Sequence, residues 1–175
     1  MMAGVAWSVA DLRGYISKGG RVAASSQRDL SALLGGEGSR KADGKLRRSL
    51  SGKRPDLGDR YFRSSWEANY ARYLNWMLSR KKILSWDYEC HVFEFEGITR
   101  GTMDYRPDFR VSLLAGGHEW HEVKGWMDPK SATRLKRMAK FWPAERVILI
   151  ERAWFSVNGP MLSGIIPGWE VGCAK

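Results

Sequence analysis

The sequence predicts an α/β protein with a mixed central β-sheet flanked by helices, its core elements running α-β-β-β-α-β. Three observations predict it. Ser64 and Glu67 have the S-x-x-E spacing of a helix start, and an apolar stripe at helical period follows to about Ser79. Three β-rich runs then occupy Ile83 to Lys124, punctuated by glycine and proline. Finally, Asp128 and Pro129 open a second helix that leads into the short apolar run "RVILI" at 146–150.

Each element has a local reason. On a helical wheel Trp66, Tyr70, Tyr73, Leu74 and Met77 share one side of the first helix. The first β-rich run is "ILSWDYECHVFEF" (83–95). The second is "GTMDYRPDFRV" (101–111), where Met103, Tyr105, Phe109 and Val111 alternate with polar neighbours. Pro107 has no N–H for a ladder, so this strand is expected at a sheet edge or distorted there. Leu114 to Gly117 makes a turn, and "HEWHEVK" (118–124) is the third strand. Asp128 caps the next helix with Pro129 at its first position, and Pro143 stops it after about Trp142. The run 146–150 reads as a central, buried strand. In the last 25 residues apolar anchors interleave with glycine and proline, and no element is assigned.

The bulk numbers narrow the function classes. The chain has 175 residues, 43% of them hydrophobic, which suffices for one domain with a core. Its 29 Lys/Arg against 19 Asp/Glu give a net charge of +10, favouring a polyanionic partner: nucleic acid first, an anionic membrane surface second. No apolar run approaches the ~20 residues of a membrane-spanning helix, and no secretory signal is visible. Cys90 and Cys173 are far apart and form no metal-binding pair, so a reduced, cytoplasmic protein is expected.

The charge is uneven. Residues 1–60 hold 12 basic and 6 acidic residues, and the stretch 33–59 is rich in Gly, Ser and basic side chains. Residues 1–60 therefore read as a basic, Gly/Ser-rich N-terminal arm, with residues 61–175 as the folded domain. A short amphipathic helix around Gln27 to Leu34 is expected within the arm.

Three carboxylates and a lysine stand out. Glu67 falls at or inside the apolar stripe of its helix, although a capping glutamate is also common there. Asp108, in "YRPDF", points away from Tyr105 and Phe109; alone it reads as a solvent-facing strand-end aspartate. Glu122 and Lys124 are two apart in a strand and project to one face, which in the ordinary case is a surface ion pair of about 0–1 kcal/mol. Asp108 and Glu122 are 14 residues apart, enough for neighbouring antiparallel strands to bring them together. Convergent carboxylates repel, and a hard divalent cation relieves that repulsion. The lysine then orients or deprotonates an attacking water, or offsets charge on a phosphoryl group, and Gly125 leaves room for a phosphate.

In this order "RSSWE", "RPDF" and "EVKGWMD" resemble the PD-(D/E)xK nuclease superfamily, and within it the phage endonuclease I group of Holliday-junction resolvases. Transposon end-cleaving subunits share a similar pattern. The resemblance covers about residues 60–152. It implies a restriction-endonuclease-like core and a metal-dependent endonuclease acting on branched or junction DNA with 5′-phosphate products. It implies that Asp108, Glu122, Glu67 and the Val123 carbonyl hold Mg²⁺, with Mn²⁺ able to substitute. Lys124 becomes the catalytic lysine, and a homodimer is expected, in the host cytoplasm if the chain is phage-encoded. A nuclease cutting ordinary duplex DNA and a non-catalytic, basic nucleic-acid-binding protein are the alternatives.

The second helix adds a binding face. Ala132, Leu135, Met138, Ala139 and Trp142 lie on one arc, with Lys130, Arg134, Lys136, Arg137 and Lys140 opposite. A face cationic throughout suits phosphate contact. His118 and His121 lie on opposite faces of their strand and read as surface histidines, His118 near the scissile phosphate. Glu89 is a candidate supporting acid or an ordinary strand-edge carboxylate. The tryptophans read mostly as core, with Trp126 a candidate for DNA contact.

Overall fold

The computed structural model describes residues 50–171. Along them run β1 (Gly52–Arg54), a 3-10 turn (Pro55–Leu57), β2 (Arg60–Phe62), α1 (Ser65–Ser79), β3 (Ile83–Tyr88), β4 (Phe93–Glu94), β5 (Asp104–Tyr105), β6 (Phe109–Leu113), β7 (His118–Lys124), α2 (Pro129–Phe141), β8 (Val147–Glu151) and α3 (Arg152–Ile165). The described chain is thus mixed α/β, with a mixed sheet and three helices. The expected helix near Gln27 lies outside the described residues. None of the described helices is long and apolar enough to cross a membrane.

The chain divides into two compact units, one of them Met77–Arg152 and the other built from residues 50–76 and 153–171. The first contains the four-stranded sheet, in the order β3-β6-β7-β8. β3 and β7 both pair antiparallel with β6, whereas β8 pairs parallel with β7. A parallel neighbour needs a crossover, and α2 supplies it. The β6–β7 register is Phe109↔His121 through Ser112↔His118, closed by the turn in which Gly116 N–H donates to the Leu113 carbonyl.

Three readings of the strands change. The run 83–95 divides into β3 and β4, which belong to different sheets. The run 101–111 is not one strand: β5 pairs with β4 in a separate two-stranded sheet, and β6 begins only at Phe109. Arg106-Pro107-Asp108 is the break, so Pro107 distorts the chain rather than marking an edge, since β6 lies inside the sheet. The apolar run at 146–150 forms β8, but among the described residues β8 is an edge strand, with Ile150 buried and Leu149 exposed. Its apolar composition reflects parallel pairing to β7 rather than a central position.

One face of this sheet carries a cluster of Phe93, Phe95, Tyr105, Trp120 and Met138, with Leu135, Phe141 and Val147 against it. The β4–β5 hairpin supplies three of those residues. α2 turns Met138, Leu135 and Phe141 inward, while Ala139 and Trp142 are exposed. The buried stripe is therefore rotated from the expected arc. Asp128 caps α2 as expected, its carboxylate accepting the Lys130 and Ser131 N–H groups at 2.9 Å each.

The second unit is built on α1 and α3. Residues 65–74 of α1 are buried on every side, as in a core helix rather than a surface one. Trp66 meets Phe155 with ring centroids 4.7 Å apart, and Tyr73 meets Trp154 edge-on at 5.0 Å. α3 escapes a sequence reading because Gly159 and Pro160 lie inside it. Both normally end helices, yet burial of Phe155, Asn158, Leu162 and Ile165 holds this one.

The β1–β2 hairpin straddles the end of the expected arm, and it belongs to this folded unit. Arg54 Nε donates to Glu170 at 2.6 Å, and Arg72, buried in α1, bonds Asp56 at 2.7 Å and Glu170 at 2.9 Å. Gly168 crosses this network at φ +77, where a Cβ would meet Arg72 Nε and Asp56 Oδ2 at 3.2 Å. Burial pushes the Glu170 carboxyl up, but its bonds to Arg54 and Arg72 outweigh that and hold it at about 2. The folded value is below the ordinary one of 4.5, so this stabilisation is fully present above pH 4.5 and is lost as pH falls toward about 2. Melting temperature should drop steeply across that window, and Glu170→Gln should flatten the slope there. An equal slope in the variant would assign acid sensitivity elsewhere.

Candidate functional site

The Met77–Arg152 unit brings Asp108, Glu122 and Lys124 together. Asp108 immediately precedes the Phe109↔His121 pair, and its carboxylate reaches the Val123 N–H, next to Glu122 in β7. Asp108 is only 3% exposed, so it is not the solvent-facing aspartate its position suggests. Its backbone carbonyl accepts the Glu89 N–H at 2.8 Å, and its Oδ2 accepts the Val123 N–H at 2.8 Å. The residue is thereby fixed between the end of β3 and β7. Glu89 supports it through the backbone, in a left-handed conformation (φ 47) that ends β3.

Glu122 is 4% exposed, and each of its oxygens has a partner. Lys124 Nζ lies 2.7 Å from Oε1, and the Tyr105 hydroxyl donates to Oε2 at 2.9 Å. The pair does share one face of the strand, but it is a buried carboxylate with a half-buried lysine, not a surface ion pair. Tyr105 was legible only as core. Its ring fills the apolar cluster, and its hydroxyl reaches out of that cluster to the site. Burial, then the Glu122 carboxylate, push the phenol well above its ordinary range, so it is a donor across physiological pH. The Arg134 charge acts in the opposite sense on the same phenol.

The other sequence-predicted residues fall as follows. Glu67 is buried in α1, in the other unit. Its N–H donates to Ser64 Oγ at 3.1 Å, and its carboxylate accepts from Ser64 Oγ at 2.9 Å and the Arg63 N–H at 3.2 Å. This is the capping box the spacing predicts. On α2, Lys130, Lys136 and Lys140 are exposed. Arg137 instead bonds the Thr102 carbonyl, and Arg134 is half-buried, with its Nε lacking a hydrogen-bond partner. The cationic face is thus narrower than expected. His121 is not a surface residue; it is buried 3.3 Å from Glu119, which Arg146 meets at 2.6 Å. His118 is half-buried on Glu145, which also accepts from Trp120 Nε1 at 2.7 Å.

Among the described residues no three His, Cys, Asp or Glu side chains form a ready metal-holding group. Mg²⁺ commonly takes one or two carboxylates and completes its shell with water and substrate phosphate. Asp108, Glu122 and a backbone carbonyl are hard oxygen donors of that kind, so the residues present fit such an ion in number and type.

Fold and site together define a mixed α/β protein with a buried carboxylate pair and an adjacent lysine on one sheet. No family model, curated protein or solved structure matches the chain.

Proposed function

We propose that the protein is a metal-dependent DNA endonuclease with a restriction-endonuclease-like core, acting on branched or junction DNA. The observation that carries this reading is that Asp108 is bonded to the Val123 N–H between Glu122 and Lys124, which themselves meet at 2.7 Å. An ion pair on a surface needs no second buried carboxylate beside it, and burying two costs several kcal/mol unless a cation compensates. The net charge of +10 and the exposed lysines of α2 suit a phosphate backbone.

In this proposal Asp108, Glu122 and the Val123 carbonyl hold Mg²⁺ or Mn²⁺. The ion supplies Lewis acidity toward a phosphoryl oxygen and a more acidic water. Tyr105 keeps Glu122 in one orientation by donating to Oε2. Lys124 orients the attacking water and offsets negative charge as the phosphoryl group is attacked. Lys130, Lys136 and Lys140 hold flanking phosphates, with Arg134 on the same helix. The homodimer enters as the assembly on the sequence resemblance alone. The second reading, a non-catalytic DNA-binding protein, draws on the fact that both Glu122 oxygens already have partners.

Incubation with supercoiled, linear, single-stranded and four-way-junction DNA, in Mg²⁺ or EDTA, separates these readings. The proposal expects Mg²⁺-dependent cleavage, strongest on the junction. Binding without cleavage in either condition leaves the second reading. Preferred cutting of linear duplex replaces the branched substrate with ordinary DNA.

Lys124→Ala should lower the single-turnover rate at least about tenfold, a loss of roughly 1.4 kcal/mol of transition-state stabilisation. Metal affinity should persist or rise, because Glu122 loses its built-in cation. A variant with normal single-turnover rate and weakened metal binding would contradict the role given to this lysine.

A further inference from the structure

Trp126 is 82% exposed, the most exposed of the large hydrophobic residues described. An indole left in water this fully contributes nothing to the core. Its place in the chain is not arbitrary. Two residues before it, Lys124 ends β7 in contact with Glu122. Two residues after it, Asp128 is bonded to Lys130, Ser131 and the Ser131 hydroxyl at the start of α2. The indole is therefore carried on a connection fixed at both ends, beside the site lysine. Lys130, four residues on in the chain, is exposed at the first turn of α2.

We infer that Trp126 is a stacking platform for an unpaired base of the DNA strand held at the Asp108–Glu122–Lys124 site. A paired base inside a duplex offers no free face, whereas a base at a gap, a branch or a flipped position does. The flanking cations suit the phosphates on either side of that base. The inference rests on the proposed nuclease reading and adds what the site selects: DNA with a base out of the stack next to the scissile phosphate.

The test measures binding by the full-length protein in EDTA, so it does not depend on cleavage. The probes are a fluorescein-labelled duplex with a short single-stranded gap, the fully paired duplex of the same sequence, and the gapped duplex with abasic sites in the gap. Wild type should prefer the gapped duplex. Trp126→Ala should bind it roughly tenfold more weakly and change little on the paired duplex, while Trp126→Phe keeps most of the preference. Abasic sites should weaken wild type and leave Trp126→Ala unaffected. If Trp126→Ala binds all three probes as wild type does, the inference fails and the nuclease reading stands. A change in molecular mass by sedimentation would overturn it in favour of a protein–protein contact. If wild type binds none of the probes, both fall; if it shows the stacking pattern yet never cleaves, only the nuclease reading falls.

Discussion

Asp108→Asn should reduce Mg²⁺-dependent cleavage by at least about a hundredfold, the loss of several kcal/mol that a displaced metal ion entails. The fold should survive. The Asn carbonyl oxygen remains able to accept the Val123 N–H, the bond that Asp108 Oδ2 makes at 2.8 Å. DNA binding should stay near wild type or tighten, because a negative charge near phosphate is removed. Asp108→Ala is the informative contrast, since it orphans a buried N–H at a cost of about 1–3 kcal/mol and should lower the melting temperature as well. Cleavage by Asp108→Asn at the wild-type rate would show that the site is misassigned.

The largest expected effect on stability is at Arg72. This guanidinium is 6% exposed and joins Asp56, Asn69 and Glu170, so it ties the hairpin of β1 and β2 to α1 and to the segment after α3. Arg72→Ala removes one guanidinium from Glu170, which keeps its bond to Arg54, and takes away the guanidinium that Asp56 meets. Asp56 is 45% exposed and Glu170 23%, so water takes up part of the loss, and the cost is about 1.5–3 kcal/mol, that of a hydrogen bond to a charged group. Urea unfolding should register that loss, with a lower midpoint. A variant within about 1 kcal/mol of wild type would mean that the network is dispensable. Nothing in the proposed chemistry uses Arg72, so the comparison with Asp108→Asn separates loss of fold from loss of function.

The sequence was most readable where the cause is local. Ser64 and Glu67 form the capping box, Asp128 and Pro129 open α2, and the pairing of Glu122 with Lys124 follows from strand period. Bringing Asp108 beside Glu122 needed only an antiparallel hairpin. The failures involve distance along the chain. β8 looked central because composition records apolar packing, not which flank of a strand lacks a neighbour. The tie of Arg54 and Arg72 to Glu170 spans 116 and 98 residues and leaves no periodic trace. α3 was lost because Gly159 and Pro160 argue locally against a helix that packing enforces. Tyr105 was read as core from its apolar neighbours, and strand alternation says nothing about where a phenol tip ends.

The turn between β6 and β7 has a consequence for how this protein tolerates change. It contributes no side chain to the site, yet its length alone decides which residue of β7 meets Asp108. Side-chain period in a strand is two, so a single inserted residue that slips the pairing presents a neighbour of Glu122 instead. The four positions from Leu114 to Gly117 are thus open to substitution wherever the positive φ of Gly116 and Gly117 is respected, and closed to insertion. The turn works as a ruler: its composition can drift while its length is held, and indels there disarm the carboxylate pair without touching either carboxylate.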